Sequence, residues 1–178
     1  RQPPMAEASL PYKIESLLAN HDRFGFTCGV APLDRYIATQ ATQDIRRRVS
    51  ACFVAVDAGT AAIAGYYTLA ATSIPLPDIT AATAKKLPRY PLVPAVRLGR
   101  LAVSTIHRGK GLGAALLIDS ITRALRAEIM AFALVADAKD DAALAFYRHH
   151  GFTAFESVPM SLYLPLSEAA RHLGLGRP

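Results

Sequence analysis

One stretch near the middle of the chain limits the folds open to it. Leu98 to Val103 alternates apolar residues and reads as a strand; after a short polar turn, Arg108, Gly109, Lys110, Gly111, Leu112 and Gly113 open an Ala/Leu/Ile-rich helix. Glycines at a helix start let the backbone approach a ligand closely and leave unpaired N–H groups pointing outward. With the positive end of the helix dipole, those donors form a site for a phosphate or pyrophosphate. Arg108 and Lys110 add charge in the same place. The chain thus calls for a strand–loop–helix unit that holds a phosphorylated ligand.

Spacing separates three loops of this kind. A Walker loop needs Gly-Lys followed by Ser or Thr, and Lys110 is followed by Gly111. Gly109, Gly111 and Ala114 fit the loose dinucleotide fingerprint, but that motif begins at the strand end inside a parallel βαβ unit. Here Ser104 to Arg108 intervene, and the preceding half of the chain does not alternate strand and helix. The third pattern, Arg/Gln-x-x-Gly-x-Gly/Ala, is met by Arg108, Gly111 and Gly113. A glycine-rich turn without any ligand is the plainer alternative.

The surrounding periodicity supplies context. From about Lys110 to Glu128, Leu112, Leu116, Leu117, Ile121, Ala124 and Leu125 recur at mostly three- and four-residue spacing. Ala131 to Ala136 is a continuous apolar run suited to a strand buried on both faces. Ala142 to His150 reads as a second helix closed by Gly151; Phe152 to Phe155 and Ser161 to Leu166 read as antiparallel partners. Upstream, Pro11 to Leu18 is a first strand, and Pro32 to Arg48 a helix with proline near its start and cations at its end. Ala51 to Asp57 and Ala61 to Ala71 form a hairpin. Ser73 to Pro94 is Pro-rich, with a short helix around Ala81 to Leu87.

In order and spacing, this resembles the cofactor half of the GNAT acyltransferases, and the Arg108 loop resembles their acetyl-CoA pyrophosphate loop. The resemblance implies an α/β (α+β) fold: a central mixed, mostly antiparallel sheet flanked by helices, with two splayed strands that bind acetyl-CoA. A single domain is expected over 1–178, with a core of about 11–166 and flexible termini.

Composition agrees with one compact domain. At 178 residues and 52% hydrophobic, the chain can bury a sizeable core. No apolar run reaches the roughly 18–20 residues that span a bilayer, and no signal peptide is evident, so a cytoplasmic location without membrane attachment is expected. Cys28 and Cys52 are too few for a disulfide framework, and Cys52 reads as a small buried hydrophobe. Lys and Arg outnumber Asp and Glu by 20 to 14, a net charge of +6. The cations cluster at Arg46 to Arg48, at Lys85, Lys86 and Arg89, and at Arg97 with Arg100. Such clusters attract a polyanion or serve as solvated helix ends, and charge alone leaves both readings open.

A closer resemblance bears on that choice. Phe26 to Tyr36, Lys85 to Pro91, Pro94 to Val103, Val135 to Asp140 and Phe146 to Phe152 together resemble the GNAT-type toxins of bacterial type II toxin–antitoxin modules, over about Pro11 to Leu166. The resemblance implies acetylation of the α-amino group of aminoacyl-tRNA, a block to translation, neutralisation by a small ribbon-helix-helix antitoxin, and a homodimer.

Residue roles follow from it. Tyr147 takes the position of the acid that protonates the leaving thiolate. Phe146, about 100° away around the helix, packs in the core or along the pantetheine arm. Leu101, Ala102 and Val103 offer backbone groups to the pantetheine; Arg108, Gly109, Lys110, Gly111, Leu112 and Gly113 hold the pyrophosphate. Asp140 stands where many family members have an Asn bonding to the cofactor arm, or is simply a helix N-cap. Lys85, Lys86, Arg89 and Arg97 are the nominees for tRNA. No metal is expected, and His149 and His150 read as helix-end cations or caps. The competing readings are an acetyltransferase for protein N-termini or small amines, and a non-catalytic acyl-CoA-binding protein.

Overall fold

The computed structural model describes residues 11–175; of the expected flexible ends, 1–10 and 176–178 lie outside them. Seven strands form one sheet in the order β1-β2-β3-β4-β5-β7-β6. They are β1 (Tyr12–Ser16), β2 (Ala51–Asp57), β3 (Ile63–Pro75), β4 (Leu92–Val103), β5 (Ala133–Asp137), β6 (Thr153–Ala154) and β7 (Ser161–Pro165). Every pairing is antiparallel except β4 with β5. The expected mixed, mostly antiparallel sheet is therefore present.

Helices cover both faces. α1 (Ala31–Arg35), a π-helical turn (Tyr36–Gln40) and α2 (Ala41–Arg46) run on from one another where a single helix was expected, and α3 (Ala81–Ala84) is the short helix of the Pro-rich stretch. α4 (Leu112–Arg126), α5 (Asp141–His149) and α6 (Leu166–His172) follow. Side chains alternate across a strand, and the core divides accordingly. Leu98, Leu134, Ala136 and Leu162 pack on one face with Leu112, Leu116 and Leu117 of α4 and Tyr147 of α5. The opposite face carries two clusters. One joins Tyr36, Ile37 and Ala41 to Cys52, Tyr66 and Ala102; the other joins Ile74 and Ile79 to Ala133, Val135, Phe155 and Tyr163.

Three boundaries differ from the sequence reading. The Pro-rich stretch carries ladder at both ends: β3 runs to Pro75 and β4 starts at Leu92, paired with each other. Pro94 is tolerated because the β5 ladder starts only at Ala95, and its carbonyl accepts from Phe132 N. The returning strand expected over Phe152 to Phe155 shrinks to two residues. Past Leu166 the chain forms α6, which buries Leu166 and Ala169, so ordered core extends beyond the expected limit.

The feature that positions the site is where β4 leaves β5. Their parallel ladder covers only Ala95↔Ala133 to Leu98↔Ala136. At the next residue the β3–β4 register shifts: Leu69 faces Leu98 and Thr68 faces Arg100. Gly99 is the extra residue of a bulge, and a bulge bends its strand and increases its twist. From Gly99 onward β4 has no partner on the β5 side, which opens a gap in the middle of the sheet.

Candidate active site

The chain enters the site from β4. Ser104 N bonds to Ala64 O, Thr105 N bonds to Thr27 O, and a 3-10 turn at Thr105–His107 leads to the glycines. His107 anchors this turn: it is buried, with Nε2 3.0 Å from Asp57 Oδ2 at the end of β2. Bonds from His107 and from the N–H groups of Gly59 and Thr60 hold the Asp57 carboxyl below its ordinary pKa. The loop is thus fastened at its base.

Gly109 and Gly111 both have positive φ, +73° and +79°, and a Cβ at either would meet nothing within 4 Å. The backbone there is left-handed and faces open space, which favours glycine on conformational grounds. Gly111 caps α4 without any side-chain cap, so the first-turn N–H groups have no side chain bonded to them. Leu112 is buried and locks the helix start onto the sheet, while Gly109, Lys110 and Gly111 are exposed. The Arg108 guanidinium bonds to the carbonyl of Cys28, beside Gly29.

A cleft of about 240 Å³ opens where β4 parts from β5. It brings together six of the expected residues: Leu101, Ala102, Val103, Arg108, Gly113 and Phe146. Cys28, Leu33 and Lys139 complete its walls, and no spacing in the sequence marks them. Gly99 did carry a signal, a glycine inside an alternating apolar run.

Tyr147 lies on the second turn of α5 and is 6% exposed. Its ring packs on Phe146 and Phe152, both with centroids at 5.3 Å. Burial, with the Asp137 charge as the smaller cause, pushes the phenol up to about 12. Asp140 is an N-cap: its Oδ1 accepts from Ala143 N at 2.8 Å. His150 Nδ1 lies 2.8 Å from the Phe146 carbonyl at the end of α5, and among the described residues no cluster of three or more His, Cys, Asp or Glu could hold a metal. Cys28 and Cys52 are buried free thiols, and burial pushes Cys52 up to about 12.

The nominated cations separate into two groups. Lys85, Lys86 and Arg89 are exposed on the β3–β4 connection just after α3. Arg97 lies on β4, half-buried and paired with Asp137. Arg100 has a structural partner of its own, its guanidinium carbon 3.5 Å from the Tyr36 ring centroid. The Tyr36 hydroxyl in turn donates to Asp44 at 2.8 Å.

Residues 48–154 match the Acetyltransferase (GNAT) domain family. The chain belongs to the GNAT acetyltransferase family. Relatives narrow the comparison. The chain is 33% identical over 155 residues to the "tRNA-acetylating toxin" of Mycobacterium tuberculosis (strain ATCC 25618 / H37Rv), covering 86% of this chain and 91% of that one. Its fold matches "AtaT complexed with acetyl-methionyl-tRNAfMet" with a TM-score of 0.81 at 24% identity, over 91% of this chain and 99% of the other. It also matches "AtaTR bound with AcCoA" with a TM-score of 0.76 at 24% identity, over 92% and 98%. As a GNAT acetyltransferase it carries the splayed sheet, glycine loop and cleft of that fold. No helix among the described residues is long and apolar enough to cross a membrane.

Proposed function

We propose that this acetyltransferase is the toxin of a type II toxin–antitoxin module, moving the acetyl group of acetyl-CoA to the α-amino group of an aminoacyl-tRNA and so blocking translation. The likeness to the tRNA-acetylating toxin across 86% of the chain carries this reading, because it spans the acceptor side as well as the glycine loop. A small ribbon-helix-helix antitoxin and a homodimer belong to the same proposal.

On this reading the pyrophosphate sits on the N–H groups from Gly109 to Gly113, where the glycine backbone faces open space and the helix dipole is positive. The pantetheine lies along Leu101 to Val103, whose β5-side edge is unpaired, between Phe146 and Leu33. Lys110 lends charge from the rim. Asp140 serves as the helix cap and keeps α5 in place. Lys85, Lys86, Arg89 and Arg97 contact the tRNA.

The acceptor's chemistry suits this site. A free α-amino group has a pKa near 8 against about 10.4 for lysine. Roughly a tenth is neutral at pH 7, whereas for lysine the fraction is below about one in a thousand, so a strong protein base is not required. The departing thiolate needs a proton, and Tyr147 with its phenol pushed up to about 12 holds one throughout the physiological range. Transfer forms a C–N bond and breaks a C–S bond; nitrogen loses one proton and sulfur gains one.

The deciding assay offers labelled acetyl-CoA with purified aminoacyl-tRNA, uncharged tRNA and small amines. Label on charged tRNA alone is the expected result. Label on small amines alone overturns the toxin reading in favour of a small-amine acetyltransferase, and no transfer to any acceptor favours an acyl-CoA-binding protein.

A further inference from the structure

Asp137 is the last residue of β5, one place beyond the final β4 pairing at Leu98↔Ala136. It therefore stands at the throat of the gap. Ala133 and Val135 belong to the cluster on the face opposite α4 and α5, and by alternation Asp137 follows them there. Two clefts lie near it, with no lining residue in common. Arg97, Val135 and Ser161 line a second cleft of about 150 Å³, while Lys139, two residues on, lines the first. Arg97 from β4 and the Ser161 hydroxyl from β7 bond to different oxygens of the carboxylate. A carboxylate has about four acceptor positions, and the Asp137 side chain is 49% exposed, so acceptor positions remain open. Stability is a weak reason for this pair, since an exposed ion pair contributes about 0–1 kcal/mol.

We infer that Asp137 is the anchor for the acceptor's α-amino group, binding it as the ammonium at the mouth of the β4–β5 gap. This deepens the acetyl-transfer reading given above and rests on it. Around the anchor stand Arg97 from β4, Tyr147 from α5 and the Ser161 hydroxyl on β7, and Asp78 lines the second cleft with Arg97 and Ser161. The ammonium gives one proton to solvent before the nitrogen attacks. As the C–N bond forms and the C–S bond breaks, the nitrogen's second proton leaves on the Asp137 side for solvent. Tyr147 supplies sulfur's proton and is reprotonated from solvent.

The test compares two ligands that differ only at the α position, an aminoacyl-tRNA and the corresponding α-hydroxyacyl-tRNA, titrated without acetyl donor. Wild type is expected to prefer the amine by about 10–100-fold, the usual worth of a hydrogen bond to a charged group. Asp137→Asn should erase that preference and Asp137→Glu should restore part of it. Unchanged affinity for acetyl-CoA and for uncharged tRNA in Asp137→Asn shows that the fold is intact. Equal binding of both ligands by wild type, or an undiminished preference in Asp137→Asn, overturns the inference. Should wild type label only a small amine, the tRNA reading fails; that amine and its alcohol analogue then decide the role of Asp137 by the same comparison.

Discussion

The two sides of the central gap are built from different materials. On the cofactor side, β4, the glycine loop, α4 and α5 present mostly backbone: the free edge of Leu101 to Val103, the left-handed Gly109 and Gly111, and the uncapped start of α4. On the other side the groups are side chains from remote parts of the chain, Arg97, Asp137 and Ser161, bonded to one another across strands. Backbone recognition needs a local sequence pattern. Side-chain recognition needs the fold to bring distant residues together, so the two sides of the gap depend on different ranges of the sequence.

Four sets of substitutions test that contrast. The largest effect belongs to Tyr147→Phe, which keeps the packed ring and deletes the hydroxyl. Steady-state kinetics should show turnover falling by about 10²–10⁴, the contribution of a positioned acid, with acetyl-CoA affinity unchanged by calorimetry. A wild-type rate would move the proton donor elsewhere. Next is Gly111→Glu, which places a negative side chain and a strained backbone in the anion site. Acetyl-CoA affinity should fall by at least about tenfold, on the scale of one charge-assisted hydrogen bond, in a protein that still melts cooperatively.

On the acceptor side, joint replacement of Lys85, Lys86 and Arg89 by Glu should weaken tRNA binding and flatten its salt dependence. Each lost phosphate contact lowers the log–log slope by about 0.7–0.9, and acetyl-CoA binding should not move. An unaltered salt slope would take the β3–β4 connection out of the tRNA interface. The smallest effect is at Asp140. Asp140→Ala removes the α5 cap and should cost about 1 kcal/mol of stability, whereas Asp140→Asn keeps it; donor affinity should be indifferent to both. Loss of acetyl-CoA binding in Asp140→Asn would instead place this side chain on the cofactor arm. The pH profile joins the two sides. Turnover should rise with pH as the acceptor amine loses its proton near 8 and then level off, because Tyr147 stays protonated up to about 12.

The cofactor side was largely legible before folding. Gly109, Gly111 and Gly113 are spaced by the demands of the backbone itself, and the apolar period of α4 matches its buried Leu112, Leu116, Leu117 and Ile121. Element ends were less legible: Pro residues between Ser73 and Pro94 concealed strand that long-range pairing holds in place, and α6 depends on burying Leu166 and Ala169. The motif places Arg108 at the glycine loop, and its side chain also spans to Cys28, 80 positions earlier. No local pattern encodes a bond of that range.

Local sequence encodes the strand–glycine loop–helix unit, the alternation that sorts residues onto two faces, and the apolar strand that holds Cys52, because each depends on neighbours within a few residues. Only the tertiary structure decided that the Gly99 bulge coincides with the end of the β4–β5 ladder, and that Arg97 meets Asp137 across 40 residues. Those outcomes depend on which strands lie side by side, and pairing is set by the packing of the whole sheet against its helices.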